Sequence, residues 1–144
     1  MFMGEYAHNI DRKGRLMMPA KFREELGGRV VVNRGLDGCL YVYTMDQWNI
    51  VYQKLFSLPS TSRGTRNFQR MMLAKACECE LDSMGRILIP QSLTALAGLE
   101  KECLIIGVAT HLEIWAREKW EKMEEEQAES FEEAAENLSG MLDF

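Results

Sequence analysis

The residues best placed to do chemistry form two matched clusters. Asp11, Gly14 and Arg15 return as Asp82, Gly85 and Arg86, 71 positions further on, and each cluster runs through three apolar residues into a proline, Pro19 or Pro90. A carboxylate beside a basic group could serve general acid–base work. The base here is arginine, however, which stays protonated and acts as an anion fork rather than a proton acceptor. His8 lies three residues before Asp11, but Cys79 stands at its place in the second copy, so a catalytic His–Asp pair would exist only once. The chain has no glycine-rich phosphate loop, nucleophile elbow or metal-ligand spacing. An enzyme is therefore not expected, and neither is a cofactor or a small-molecule substrate.

Two readings of the cluster remain. In the structural one, Asp11 and Asp82 accept hydrogen bonds from the turn N–H groups and order Arg15 and Arg86 across a hairpin. The apolar triplet then buries alternate side chains, and proline sets the exit angle. In the functional one, the arginines face an anionic ligand that repeats, as DNA does. Arginine matches both phosphate and the guanine edge in the major groove, which also admits a two-stranded ribbon. The first copy adds Arg12 and Lys13 within its turn, where the second has Ser83 and Met84. The first is thus expected to make more phosphate contacts, while the second rests on Arg86. Gly14 and Gly85 allow the tight turn.

The charge distribution agrees with DNA better than the net charge of −5 does. Residues 1–90 carry 13 Lys and Arg against 9 Asp and Glu, whereas residues 91–144 carry 4 against 13. The acid is concentrated in residues 118–136, so the rest of the chain can present a basic face.

The similarity between the copies extends past the motif. Gly27 matches Gly98 and, after a one-residue insertion, Gly35 matches Gly107, Tyr43 matches Trp115 and Trp48 matches Trp120. Two related units follow, residues 5–56 and 77–128, joined by a connecting segment at 57–76 that includes a helix. Residues 129–144 complete an acidic C-terminal helix and tail. Units of about 50 residues hold too little interior to stand alone, so the two are expected to share a core or to bury apolar faces in other subunits.

These motifs, their spacing and the tandem layout resemble the MraZ family of bacterial transcriptional regulators over essentially the whole chain. The resemblance implies an α+β fold with a mostly β core. It would be an AbrB-like, double-swapped-hairpin barrel built from two internal repeats, with flanking helices and the acidic C-terminal helix. It implies a homo-oligomeric ring such as an octamer, working in the cytoplasm at the nucleoid. That ring would bind double-stranded DNA at short direct repeats in the promoter of the chain's own division and cell-wall operon, which the family usually represses. It assigns DNA recognition to Arg15 and Arg86, supported by Arg12 and Lys13, and an orienting role to Asp11 and Asp82. An antitoxin-like or other protein-interaction module of the same fold is the alternative.

The elements that must position the motif can be read from pattern. Residues 6–11 and 15–18 predict a strand–turn–strand, with the two strands paired locally. Residues 20–26 predict a short helix closed by Gly27 and Gly28, and residues 30–33 and 39–43 two strands. Thr44 is expected to cap a helix bearing Trp48, Val51, Tyr52, Leu55 and Phe56. Residues 65–75 read as a helix with Phe68, Met71 and Met72 on its apolar side. The order then repeats, with strands at 77–81, 86–89, 103–107 and 112–115 around a helix at 90–97. Residues 116–138 predict one continuous helix that docks by an apolar seam on this or a neighbouring subunit, and residues 139–144 a mobile tail. His111 is expected in a solvated loop. The methionines read as core or interface filler, and Cys39, Cys77, Cys79 and Cys103 as reduced thiols without zinc. No stretch has the roughly 20 apolar residues of a membrane helix.

Overall fold

A computed structural model describes residues 1–142 of the 144. The elements follow in the order β1 (Phe2–Asn9), β2 (Arg15–Met17), a 3-10 turn (Ala20–Phe22), α1 (Arg23–Leu26), β3 (Arg29–Arg34), β4 (Leu40–Thr44), α2 (Met45–Phe56) and α3 (Arg63–Lys75). The second half contains β5 (Cys77–Glu80), β6 (Arg86–Leu88), α4 (Gln91–Ala97), β7 (Glu102–Ala109), β8 (His111–Ala116), α5 (Arg117–Gln127), α6 (Phe131–Asn137) and α7 (Ser139–Leu142). The architecture is α+β with a mostly β core, as expected.

The strands exchange partners between the units. Six form one antiparallel sheet in the order β1-β7-β8-β4-β3-β5, and β2 pairs with β6 as a separate ribbon. Thus β1 of the first unit lies on β7 of the second, while β5 of the second lies on β3 of the first. Strands β4 and β8, which correspond to one another, pair at the middle. Isolated bonds follow the same symmetry, with Ile10 N–H donating to Lys101 O at 2.8 Å and Leu81 N–H to Gly28 O at 3.0 Å. No ladder among the described residues closes the sheet on itself. Among the described residues, the local pairing expected between residues 6–11 and 15–18 is limited to one backbone bond, Asp11 N–H to Arg15 O at 3.0 Å, and the ladder lies elsewhere. At three residues, β2 is too short to hold a ladder unless its partner strand is also fixed by the core, and that partner is β6.

The two units share one core. Leu16, Met18, Phe22, Val30 and Val42 pack in one cluster with Ile87, Ile89, Leu93, Ile105 and Ile114. Alternation in the apolar triplets feeds that cluster, because Leu16, Met18, Ile87 and Ile89 are buried while Leu88 between the last two is exposed. The matched aromatics also meet in kind. Tyr43 packs on Trp48 with centroids 5.7 Å apart, and Trp115 packs on Trp120 at 5.4 Å.

The helix ends form as their residues dictate. Thr44 Oγ1 caps α2 by accepting from Gln47 N–H at 3.1 Å. Gly27 and Gly98 leave their helices with φ of 76° and 66°, a region that glycine enters without strain. Asn33, buried in β3, donates from Nδ2 to the Met72 carbonyl at 3.0 Å and so ties α3 to the sheet. The apolar side of α3 nonetheless stays open, with Phe68 and Met71 exposed.

Two further expectations are corrected, the single acidic helix and the loop placing of His111. The acidic segment is not one helix, because it breaks at Ala128–Ser130 into α5 and α6. Ser130 Oγ donates to the Gln127 carbonyl at 3.2 Å, the kind of side-chain bond that competes with the helical ladder. Its seam meets this chain at its start, where Trp120 packs on Trp115, while Phe131 and Leu138 further along are exposed. In the segment expected to be a tail, residues 139–142 form the exposed helical turn α7, and residues 143 and 144 lie outside the described residues. His111 is also not a solvated loop residue. It opens β8 with its ring 4.4 Å from that of Tyr41, and its Nε2 lies 3.8 Å from Glu113 Oε2.

Candidate nucleic-acid interface

Each motif turn is built by its aspartate. Asp11 Oδ1 accepts from the backbone N–H of Lys13 and of Arg15, both at 2.9 Å, while Oδ2 accepts from Arg15 Nε at 2.7 Å. Asp82 repeats this with Met84 N–H at 2.9 Å, Arg86 N–H at 2.8 Å and Arg86 Nε at 2.8 Å. The carboxylate therefore satisfies the turn and orients the guanidinium at once. Hydrogen bonding from the Arg15 backbone, then from the Arg15 side chain and the Lys13 N–H, holds the Asp11 carboxyl below its ordinary value. The Arg86 backbone, the Arg86 side chain and the Met84 N–H do the same for Asp82. Both stay ionised at neutral pH, as partners of arginine rather than proton donors.

Glycine at the third turn position is required by geometry. Gly14 has φ +90°, and a β-carbon there would sit 2.6 Å from the Ile89 carbonyl oxygen. Gly85 has φ +81°, and its β-carbon would collide with the Arg23 side chain. The two turns are bonded across the molecule, with Ile89 N–H donating to Gly14 O and Met18 N–H to Gly85 O, both at 2.9 Å.

The β2–β6 register brings the motif arginines together. Arg15 pairs with Leu88, Leu16 with Ile87, and Met17 with Arg86. Side chains alternate along a strand, so Leu16 and Ile87 enter the core while Arg15, Met17, Arg86 and Leu88 share the opposite face. As diagonal neighbours, Arg15 and Arg86 stand roughly 7–8 Å apart along the backbone. That separation is near two base-pair steps of about 3.4 Å each. Each Asp–Arg bond uses Nε and, among the described residues, leaves the Nη groups without a partner, so both guanidiniums keep donors for a ligand. Arg12 and Lys13 are exposed in the first turn, and Ser83 and Met84 in the second.

Arg23 belongs to this site although no sequence motif singles it out. It begins α1 in the first unit, yet its side chain lies against Gly85 in the second turn, with Nε donating to the Met18 carbonyl at 3.1 Å. Its place in the second unit is taken by Thr94, whose hydroxyl donates to the Gln91 carbonyl at 3.1 Å. The signal in the sequence is a cation present in one copy only, but its target becomes visible only once the strands have exchanged. Burial and then the Arg23 guanidinium lower the His8 pKa below its ordinary value, which disfavours a positive charge there.

Burial pushes Cys39 and Cys79 up to about 12 and Cys103 to about 11, which keeps these thiols protonated. Among the described residues, no three His, Cys, Asp or Glu side chains gather as a metal site. No helix among them is long and apolar enough to cross a membrane.

Comparison with known proteins gives one consistent result. A family model described as "MraZ protein, putative antitoxin-like" matches twice, at residues 1–71 and 72–141. The chain is 51% identical over 144 residues to a "Transcriptional regulator MraZ" of Ligilactobacillus salivarius, covering 100% of this chain and 99% of that one. It is likewise 51% identical over 144 residues to the protein of that name in Limosilactobacillus reuteri, with full coverage of both. A third, from Desulforamulus reducens, is 50% identical over 142 residues, 99% of this chain and 100% of its own length.

Proposed function

The chain belongs to the MraZ family, and on that premise we propose that it is a sequence-specific DNA-binding transcriptional regulator whose β2–β6 ribbon enters the major groove. The observation that carries this reading is the common face of Arg15 and Arg86, each with Nε fixed by an aspartate and its outer donors free. Fixing the fork in advance lowers the ordering cost of a bidentate contact with guanine. Arg12 and Lys13 add phosphate contacts on the side of the first turn, and Arg23 supplies a cation beside the second. The chemistry is recognition rather than catalysis.

The reading extends to repression of the chain's own division and cell-wall operon through short direct repeats in its promoter, at the nucleoid. Two arginines span only a few base pairs, so one chain would bind weakly. A homo-oligomeric ring such as an octamer would present the ribbon many times to a repeated operator and raise avidity without new contacts. The test is binding to a duplex taken from upstream of the chain's own gene. The expected result is preference for that duplex over a shuffled one of equal composition. Equal affinity for the two at every salt concentration would overturn sequence-specific recognition.

The antitoxin-like description of the family favours a second reading, in which the same fold serves as a protein-interaction module. In that case the ribbon arginines could be replaced without loss of partner binding.

A further inference from the structure

The α3 face and the acidic tail are each unfinished within one chain, and they complement one another. Residues 63–75 hold Arg63, Arg66, Arg70 and Lys75 with no acid, whereas residues 123–142 hold seven glutamates and no base. Among the described residues, none of these eleven charges enters a salt bridge. Among the described residues, the Arg66 side chain donates only to the Ser60 carbonyl and the Arg70 side chain only to Asn67 Oδ1.

The apolar surfaces match in the same way. Helix α3 has no buried residue and exposes Phe68, Met71 and Leu73. Between α2 and α3 runs a groove of about 360 Å³ lined by Tyr52, Phe56, Leu58 and Leu73. Helices α6 and α7 also bury nothing, with Phe131 68% exposed and Met141 85% exposed. Helices of 7 and 4 residues are unstable alone in water, so they need a surface on which to fold. Their own chain does not provide one. Lys119 Nζ donates to the Gly38 carbonyl at 3.3 Å and Arg117 pairs with Glu121 at 2.8 Å, which fixes the start of α5. The segment beyond it makes no hydrogen bond to α2 or α3 among the described residues.

We infer that the acidic C-terminal segment of one copy, α6 and α7 with the end of α5, docks on the basic and apolar α2–α3 face of a second copy. The glutamates would face the α3 arginines, and Phe131, Leu138 and Met141 would fill the apolar ground between them. This docking rests on the self-assembly proposed above and gives it a seam. It is independent of what the ribbon binds. Because the pairing is largely ionic, it weakens with salt.

The test uses full-length chains and sedimentation equilibrium. One variant reverses the helix (Arg63→Glu, Arg66→Glu, Arg70→Glu), and another reverses the tail (Glu125→Lys, Glu129→Lys, Glu132→Lys). Each alone is expected to weaken self-association roughly a hundredfold or more, through like charges brought together. An equimolar mixture of the two should regain assembly, since each then offers the other a complementary face. An intramolecular tail contact could not respond to mixing. Should either reversal fail to fold, Arg66→Gln with Arg70→Gln should give a smaller loss in the same direction. Parental mass in both reversed chains, or no recovery on mixing, would overturn the seam and leave the assembly intact. A parent that sediments as one chain would overturn both. Weaker DNA binding by the helix reversal at unchanged mass would assign the α3 face to DNA instead.

Discussion

The backbone N–H of Ile89 donates to the carbonyl oxygen of Gly14 at 2.9 Å, although 75 positions separate the two residues. Met18 and Gly85 repeat the bond at the same length. Each motif turn, closed locally by Asp11 N–H to Arg15 O at 3.0 Å or Asp82 N–H to Arg86 O at 2.9 Å, is thereby also bonded to the exit strand of the other. Neither motif is an independent hairpin, and the two arginines are presented by one shared ribbon. A change in one motif should thus be felt at the other, and effects on binding should be non-additive, as for residues in one network.

Gly14→Ala tests the closure itself. The added methyl would meet the Ile89 carbonyl at 2.6 Å, with φ at +90°. The expected loss is about 1–3 kcal/mol of stability or more. Gly28→Ala is the control, because nothing lies within 4 Å of that β-carbon. Urea denaturation of both variants checks the contrast, and equal midpoints would show that the crossed turns are not closely packed.

Acid should loosen the motif turns. Asp11 and Asp82 have carboxyls held below the ordinary value of 3.8, so the folded chain binds fewer protons than the unfolded one in acid. Their contribution is present above that value and is lost as pH falls through the folded values. The parent should exceed the Asp11→Asn, Asp82→Asn double variant in stability near neutral pH, and the gap should close on acidification below about pH 4. A gap that stays constant on acidification from neutral pH to well below that point would contradict the role given to the carboxylates.

Lys13→Ala should act on phosphate alone. The Lys13 side chain is exposed in the first turn, and only its backbone N–H serves Asp11. The slope of log affinity against log salt should become shallower by about 0.9 for each protomer engaged, with base preference unchanged. Altered preference among operator variants would mean that Lys13 reads bases.

Much of the site is legible in the sequence because it is local. Asp11 and Arg15 lie four residues apart, so their bond needs only the glycine turn between them. Thr44 caps the helix it precedes. The exchange of strands is not readable from pattern, since a local hairpin and a swapped one have the same alternation and differ only in which strand receives β2. The fold family, not the spacing, points to it. Arg23 and His111 escape the sequence for a related reason. Their neighbours, Gly85 and Tyr41, come from elements far away in the chain, and the sheet order β1-β7-β8-β4-β3-β5 decides who those neighbours are. The break at Ala128–Ser130 falls among strong helix formers, where Ser130 bonds back to Gln127.

The central claim is that Arg15 and Arg86 act together on DNA from one face of one ribbon. The most direct test measures the affinity of the parent, Arg15→Ala, Arg86→Ala and the double variant for the upstream duplex at matched salt, with circular dichroism confirming the fold. Each single change is expected to cost about 1–3 kcal/mol of binding free energy for every protomer that reads the duplex, and the double variant should bind that duplex no better than a shuffled one. Parental affinity and preference in both single variants, with the fold intact, would contradict the account.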